Sequence, residues 1–135
     1  MTLKTSIHFT LFIKLKIIFL KLLNKVFYIY ITTNPNRSVL YIGRTDNLLQ
    51  RMTEHWINRG QPETFAGKYY CYNLIYYEET PYVLNAIHRE KQLKGWRRSK
   101  KEELIKHSNP ELKFLNNEIM EWPPVNPFHR GEFYN

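Results

Sequence analysis

One cysteine among 135 residues has nothing to pair with, so Cys71 forms no internal disulfide and a reducing, cytoplasmic compartment is expected. Five scattered His and that single Cys offer no pair at zinc-ligand spacing. Glycine is equally scarce, five in all, which argues against a phosphate-cradling P-loop or a dinucleotide-binding fold. Long apolar runs are missing too. The stretch Ile7 to Leu23 is rich in Ile, Leu and Phe, but Lys14, Lys16 and Lys21 interrupt it, and its longest uncharged run, Thr5 to Ile13, has nine residues. A crossing helix needs about twenty apolar residues, so no membrane span is expected. No Ala or Gly precedes Gly43, so a small-residue leader cleavage site is not expected either. What is abundant is aromatic: ten Tyr and eight Phe, which suit pleated, half-buried surfaces. With 43% hydrophobic and 24% charged residues the chain reads as one folded domain, excluding collagen-like, disordered and two-domain readings.

The net charge of +8 is local. Residues 1–25 carry five Lys and no acid, leaving fifteen Lys and Arg against all twelve acids in residues 26–135. Residues 1–25 therefore read as a basic, apolar N-terminal extension. Lys14, Lys21 and Lys25 would share a helical face, the pattern of a membrane-surface helix, although Lys16 lies off it. An extension irrelevant to the fold is the preferred reading, and a membrane is not expected among the partners.

From Val26 the texture changes. Val26 to Thr33 reads as a strand, Asn34 to Arg37 as a turn and Ser38 to Gly43 as a second strand, giving a β-hairpin. Asp46 is the expected N-cap of a helix carrying Leu48, Leu49, Met52 and Trp56, which Gly60 stops. A surface loop from Asn58 to Lys68 leads to a third strand, Tyr72 to Glu79. Thr80-Pro81 opens a helix with Val83, Leu84 and Ile87 facing inward, until Gly95 closes it. Ser99 and Glu102 form a capping-box pattern for a further helix, which Asn109-Pro110 ends. A short amphipathic piece with Leu112, Leu115 and Ile119 follows, and residues 123–135, with Pro127 and Gly131, read as a flexible tail. The fold class expected is α/β: a small three-stranded, mostly antiparallel sheet flanked by helices over residues 26–122.

The chemistry concentrates in Tyr30, Tyr41, Arg51 and His55. With the turn centred near Pro35-Asn36, the two tyrosines fall roughly opposite one another on adjacent strands and share a face. Gly43 is expected to let the chain leave the strand, and Arg51 and His55, four apart, project from one side of the next helix. Glu90 follows Ile87 by three residues and Val83 by seven, placing a carboxylate on the apolar stripe. Such an acid is either an ion-pair partner for Arg51 or Lys94 or a metal ligand, and one carboxylate suits Mg²⁺, which keeps several waters. Residues 89–106 add a basic cluster, Arg89, Lys91, Lys94, Arg97, Arg98, Lys100, Lys101 and Lys106, with Trp96 among them, a pattern that fits phosphate contact or a solvated face.

In these segments the chain resembles the GIY-YIG nucleases. Tyr28-Ile29-Tyr30 stands at the first signature triplet, with Tyr28 in place of Gly, and Tyr41-Ile42-Gly43 reproduces the second. Arg51-x-x-x-His55 is similar to the family's helix, and the segment from His88 to Trp96 to the one bearing its acidic ligand, with Glu90 at that position. The resemblance covers about residues 27–115 and is nearest to small single-domain bacterial members related to the excision-repair nuclease subunit. It implies a metal-dependent endonuclease that hydrolyses DNA phosphodiesters, in repair or in processing branched or damaged DNA, with one Mg²⁺ or Mn²⁺. On that model Tyr41 takes a proton from the attacking water, Glu90 holds the metal, Arg51 neutralises phosphoryl charge, Tyr30 positions water or phosphate, and His55 relays the proton or orients Tyr41. A phenol with an ordinary pKa near 10 is a weak base at pH 7, so Tyr41 needs a cation beside it. DNA would be gripped by Arg44, Arg89, Lys94, Arg97, Arg98, Lys100 and Lys101, with a separate protein partner as a source of specificity. Asn109 is the match to a late Asn that some members use. The competing class is a catalytically silent nucleic-acid-binding module with the same fold.

Overall fold

A computed structural model describes residues 3–23 and 25–125 of the chain. Strand β1 (Phe27–Thr33) is the centre of the sheet, antiparallel both to β2 (Leu40–Thr45) and to β3 (Asn73–Thr80), in the order β2-β1-β3. Side chains alternate across a strand, so β1 sends Ile29 and Ile31 to one face and Tyr30 and Thr32 to the other. All four are buried, so both faces must be covered. Helices α4 (Val83–Gly95) and α5 (Arg98–Ser108) cover the isoleucine face, where Ile29, Ile31, Ile42, Ile75, Tyr76, Ala86, Leu93 and Ile105 form one cluster. Helix α2 (Leu48–Ile57) and the short α6 (Asn116–Ile119) cover the tyrosine face, where Tyr30, Leu48, Met52 and Leu74 pack with Tyr28, Tyr41, Leu115 and Trp122.

Register departs from the expected pairing. Tyr30 lies opposite Gly43 and Tyr41 opposite Thr32, so the tyrosines share a face as a diagonal pair and not as direct partners. The turn explains the shift. Asn34 Oδ1 accepts hydrogen bonds from the N–H groups of Ser38 (2.8 Å) and Val39 (3.0 Å), which holds both residues out of the ladder and starts β2 at Leu40. β2 then continues through Gly43 to Thr45, so Gly43 is not an exit. A bulge between Ile31 and Thr32 in the β1–β3 ladder lets Ile75 join Tyr76 in the isoleucine-face cluster.

The outer edge of β3 is closed by two buried asparagines. Asn116 Oδ1 accepts from Leu74 N (2.8 Å) while its Nδ2 donates to Tyr72 O (3.0 Å). Asn109, the C-cap of α5, donates through Nδ2 to the carbonyls of Ile75 and Lys113 (2.9 Å each) and accepts from Lys113 N (3.0 Å). Its visible role is to satisfy backbone groups that would otherwise be buried unpaired.

Several helix details correct the sequence reading. Asn47, not Asp46, caps α2, its Oδ1 accepting from Gln50 N at 3.1 Å. α4 begins at Val83 with Tyr82 as N-cap, and its inward residues are Ala86 and Leu93; Val83, Leu84 and Ile87 stay exposed. Ala86 is small enough to let the helix lie close against the sheet. Arg97 occupies the cap of α5, so Ser99 does not cap it, and Glu102 pairs with Arg98 at 2.9 Å instead. The expected loop contains a short helix, α3 (Phe65–Lys68). Residues Leu3–Leu23 form helix α1, whose Ile7, Phe9, Leu11, Phe12, Leu15, Ile18 and Phe19 are exposed. Among the described residues no helix is long and apolar enough to cross a membrane. The expected tail lies mostly outside the described residues, Pro127 and Gly131 included, but Trp122 just before it packs on Trp56 with ring centres 5.5 Å apart.

Candidate active site

Tyr30 projects from the central strand toward α2, and the neighbouring Gly43 makes room for it. A Cβ at Gly43 would collide with the Tyr30 hydroxyl and ring, which is the physical reason for glycine at this point of β2. Tyr41 lies diagonally beside it, ring centres 6.2 Å apart. α2 carries Arg51 and His55 one turn apart onto the same face. The Tyr30 hydroxyl lies 2.8 Å from His55 Nε2, and Arg51 Nε donates to it at 3.1 Å. His55 stands edge-on to both phenols, with centroid distances of 5.6 Å to Tyr30 and 5.3 Å to Tyr41. Four residues from three elements thus converge as the spacing predicts.

Burial divides them into two pairs. Tyr30 is 0% and His55 6% exposed, whereas Tyr41 and Arg51 are only partly buried. The Tyr30 hydroxyl is therefore turned inward, to His55 and Arg51. Burial, then the neighbouring Tyr41, raises the Tyr30 pKa well above the phenol range, against the lowering pull of Arg51. Burial, then the Arg51 charge, pushes His55 down to about 3, so the imidazole is neutral at physiological pH. A protonated Tyr30 that accepts from Arg51 still has one proton to place, and neutral His55 receives it at Nε2. That assignment puts the imidazole proton on Nδ1. Arg51 loses some basicity to burial but regains more from Glu54, whose carboxylate is 2.8 Å from Nη1, and from the hydroxyls of Tyr30 and Tyr41. It remains a cation. Glu54 was not foreseen, although its place three residues after Arg51 is a helix-neighbour spacing.

Glu90 arrives from the other layer. It rises from α4 between Ala86 and Leu93, and its carboxylate, 19% exposed, lies 3.6 Å from Arg44 Nε and 3.6 Å from Lys94 Nζ. Among the described residues its ion-pair partners are thus Lys94, as one reading allowed, and Arg44 on edge strand β2, not Arg51. Arg44 follows Gly43 directly, so edge strand β2 links the Glu90 group to the tyrosine group. Among the described residues no three His, Cys, Asp or Glu side chains gather into a metal-binding cluster. The donor set is one carboxylate whose two contacts are longer than the about 2.7–2.9 Å of a charge-assisted hydrogen bond, so its oxygens retain lone pairs. A lone hard oxygen donor fits a cation that keeps its waters, as Mg²⁺ or Mn²⁺ does, and does not fit zinc.

The basic residues sort by what already holds them. Arg89 is bound to Glu78 (2.6 Å) and Gln92 (2.7 Å), and Glu78 also takes a short hydrogen bond from Tyr76. Arg98 donates to the carbonyls of Ser38 (2.5 Å) and Arg37 (2.9 Å), fastening α5 to the hairpin turn. Both thus hold neighbouring elements together, Arg98 from an exposed position and Arg89 from a half-buried one. Arg44 and Lys94 flank Glu90, while Arg97 and Lys100 are exposed and Lys101 is half-buried. Lys100 Nζ sits 4.2 Å from the Trp96 ring centre. A depression of about 560 Å³ beside α4 and one of about 660 Å³ beside α5 are lined by none of Tyr30, Tyr41, Arg51 and His55.

The fold is thus an antiparallel sheet with a diagonal tyrosine pair, an Arg and a His presented from the following helix, and an acid from the opposite layer. A family model of the GIY-YIG catalytic domain matches residues 26–103, and the chain belongs to that family. Comparison with curated proteins and with solved structures gives no match. Membership implies endonuclease activity in general terms, with DNA as substrate.

Proposed function

We propose that this protein is a divalent-metal-dependent DNA endonuclease of the cytoplasm that acts on branched, nicked or damaged DNA. The observation that carries the reading is the buried Tyr30–His55 pair, which contacts the two groups that are more exposed, Arg51 by a hydrogen bond and Tyr41 by ring contact. Tyr41, once it has lost its proton to solvent, takes the proton of the attacking water as the phenolate and returns to the phenol. Arg51, a cation that interacts with both phenols, supports that role and neutralises charge developing on the phosphoryl oxygens. Tyr30 and His55 are positioning residues. Glu90 holds the ion, with Arg44 and Lys94 beside it to meet the phosphate that shares the site. When bound, the ion supplies Lewis-acid stabilisation of the phosphoryl oxygen and leaving group. Arg97, Lys100 and Lys101 extend the cationic surface along the DNA backbone, a contact blind to sequence, so specificity is left to DNA shape or to a protein partner.

The test is incubation of supercoiled plasmid and a branched oligonucleotide with the wild type and Glu90→Gln, each with Mg²⁺, with Mn²⁺ or with EDTA. Wild-type cleavage that requires metal and is abolished by Glu90→Gln, with DNA affinity preserved, is expected. Salt-sensitive binding by both proteins without cleavage overturns the enzyme in favour of a binding module. Loss of binding together with cleavage makes Glu90 a structural ion-pair residue.

A further inference from the structure

Next to Tyr41 the surface carries an aromatic group that the proposed reaction does not use. Phe65 opens α3 and is 51% exposed; Tyr69 caps its end and is 39% exposed. The Phe65 ring is nearly parallel to that of Tyr41, at 24° and 6.3 Å, and its centre is 4.7 Å from that of Tyr69. Lys68 Nζ lies 5.4 Å from the Tyr69 ring centre. Three rings therefore run from the outward-facing phenol onto open surface, with cations at both ends, Arg51 and Lys68.

The platform is built to hold its shape. Thr64 Oγ1 accepts from Gly67 N at 3.1 Å, and Gly67 O accepts from Gly60 N at 2.8 Å. Cys71 N bonds to Ala66 O at 2.9 Å. A Cβ at Gly67 would meet Gln61 O at 2.6 Å and Asn58 O at 2.8 Å, so the backbone of α3 is pressed onto the exit of α2 as closely as glycine permits. Rings held this way lose little freedom when a ligand arrives.

We propose that Phe65 and Tyr69, with Lys68, are a stacking platform for an unpaired nucleobase next to the scissile phosphate, so that the substrate class is DNA with an unstacked nucleotide: a flap, gap or frayed junction. This rests on the nuclease reading and narrows its substrate. Paired bases have their faces covered by neighbours, and only an unstacked one offers a face to an exposed ring. Charge favours a nucleotide over an apolar peptide, because Arg51 and Lys68 bracket the rings and a nucleotide brings a phosphate on each side of its base. Continuity with Tyr41 favours a base beside the reacting phosphate.

The experiment compares binding, in EDTA to prevent cleavage, of a fully paired duplex and of the same duplex with a short single-stranded flap carrying 2-aminopurine. The wild type is expected to prefer the flap and to change the 2-aminopurine fluorescence as the base stacks. Phe65→Ala with Tyr69→Ala is expected to weaken flap binding by about tenfold or more, leave duplex binding within about twofold and remove the fluorescence change. Phe65→Tyr with Tyr69→Phe, which keeps both rings, is expected to behave as wild type, and thermal melts check that each variant folds. Duplex binding with no flap preference, or a folded double-alanine variant that keeps the preference, overturns the platform and leaves the nuclease reading standing. A wild type that binds neither DNA overturns both.

Discussion

The two faces of one sheet are made from alternate residues of the same strand, yet they follow different rules. On one, the aliphatic side chains of Ile29, Ile31, Ile42 and Ile75 meet Ala86, Leu93 and Ile105, and only Tyr76 among the buried members has a hydrogen bond to arrange, with Glu78. On the other, Tyr30 threads its hydroxyl between Arg51 and His55, and Thr32 keeps a buried hydroxyl with no hydrogen-bond partner among the described residues. Aliphatic burial stabilises without regard to direction, whereas a buried polar network stabilises only when each member is satisfied. The first face holds the domain together; the second accepts a stability cost to fix the orientation of Tyr41 and Arg51.

Breaking the aliphatic face has the largest effect on stability. Ile31→Ala removes a fully buried side chain from the central strand and is expected to cost about 2–4 kcal/mol, read as a fall in denaturation midpoint. Titration distinguishes the faces next. The folded pKa of His55, about 3, lies below the ordinary 6.5, so below pH 6.5 the unfolded chain binds a proton that the folded one refuses. Stability contributed by keeping His55 neutral is complete above that pH and is lost as pH falls toward 3, with a slope approaching about 1.4 kcal/mol per pH unit. Chemical denaturation at pH 7, 6 and 5 measures it, and His55→Gln is expected to flatten the dependence. Smallest is Thr32→Val, which exchanges an unpartnered hydroxyl for a methyl of the same shape and is expected to raise stability by up to about 1 kcal/mol; an equally large fall in the midpoint would show that the hydroxyl has a partner.

Much of this was legible because the strands advertise themselves. Alternating Ile and Tyr in β1, the hairpin turn and the i, i+4 placement of Arg51 and His55 led directly to the tyrosine face. What escaped depended on which neighbour a side chain chose. The register turned on Asn34 reaching the Ser38 and Val39 amides, a choice that composition does not reveal. α4 lies on the sheet through Ala86 and Leu93 while bulkier Val83, Leu84 and Ile87 face solvent, because close approach favoured the small residue over the most apolar stripe. That Arg89 reaches Glu78 and Arg98 the hairpin carbonyls is a choice of tertiary partner that a run of basic residues does not reveal. α3 has four residues, too few for periodicity, and its form depends on contacts with the end of α2.

The division of labour is tested most directly at Tyr41, the half-buried phenol that the buried network supports. Tyr41→Phe removes one oxygen and keeps the ring that packs on Tyr30, His55 and Phe65. The measurement is the rate of metal-dependent plasmid cleavage beside the thermal midpoint. The account predicts a rate lowered by about 10²–10⁴-fold with the midpoint little changed. A Tyr41→Phe protein that folds and cuts at the wild-type rate would contradict it.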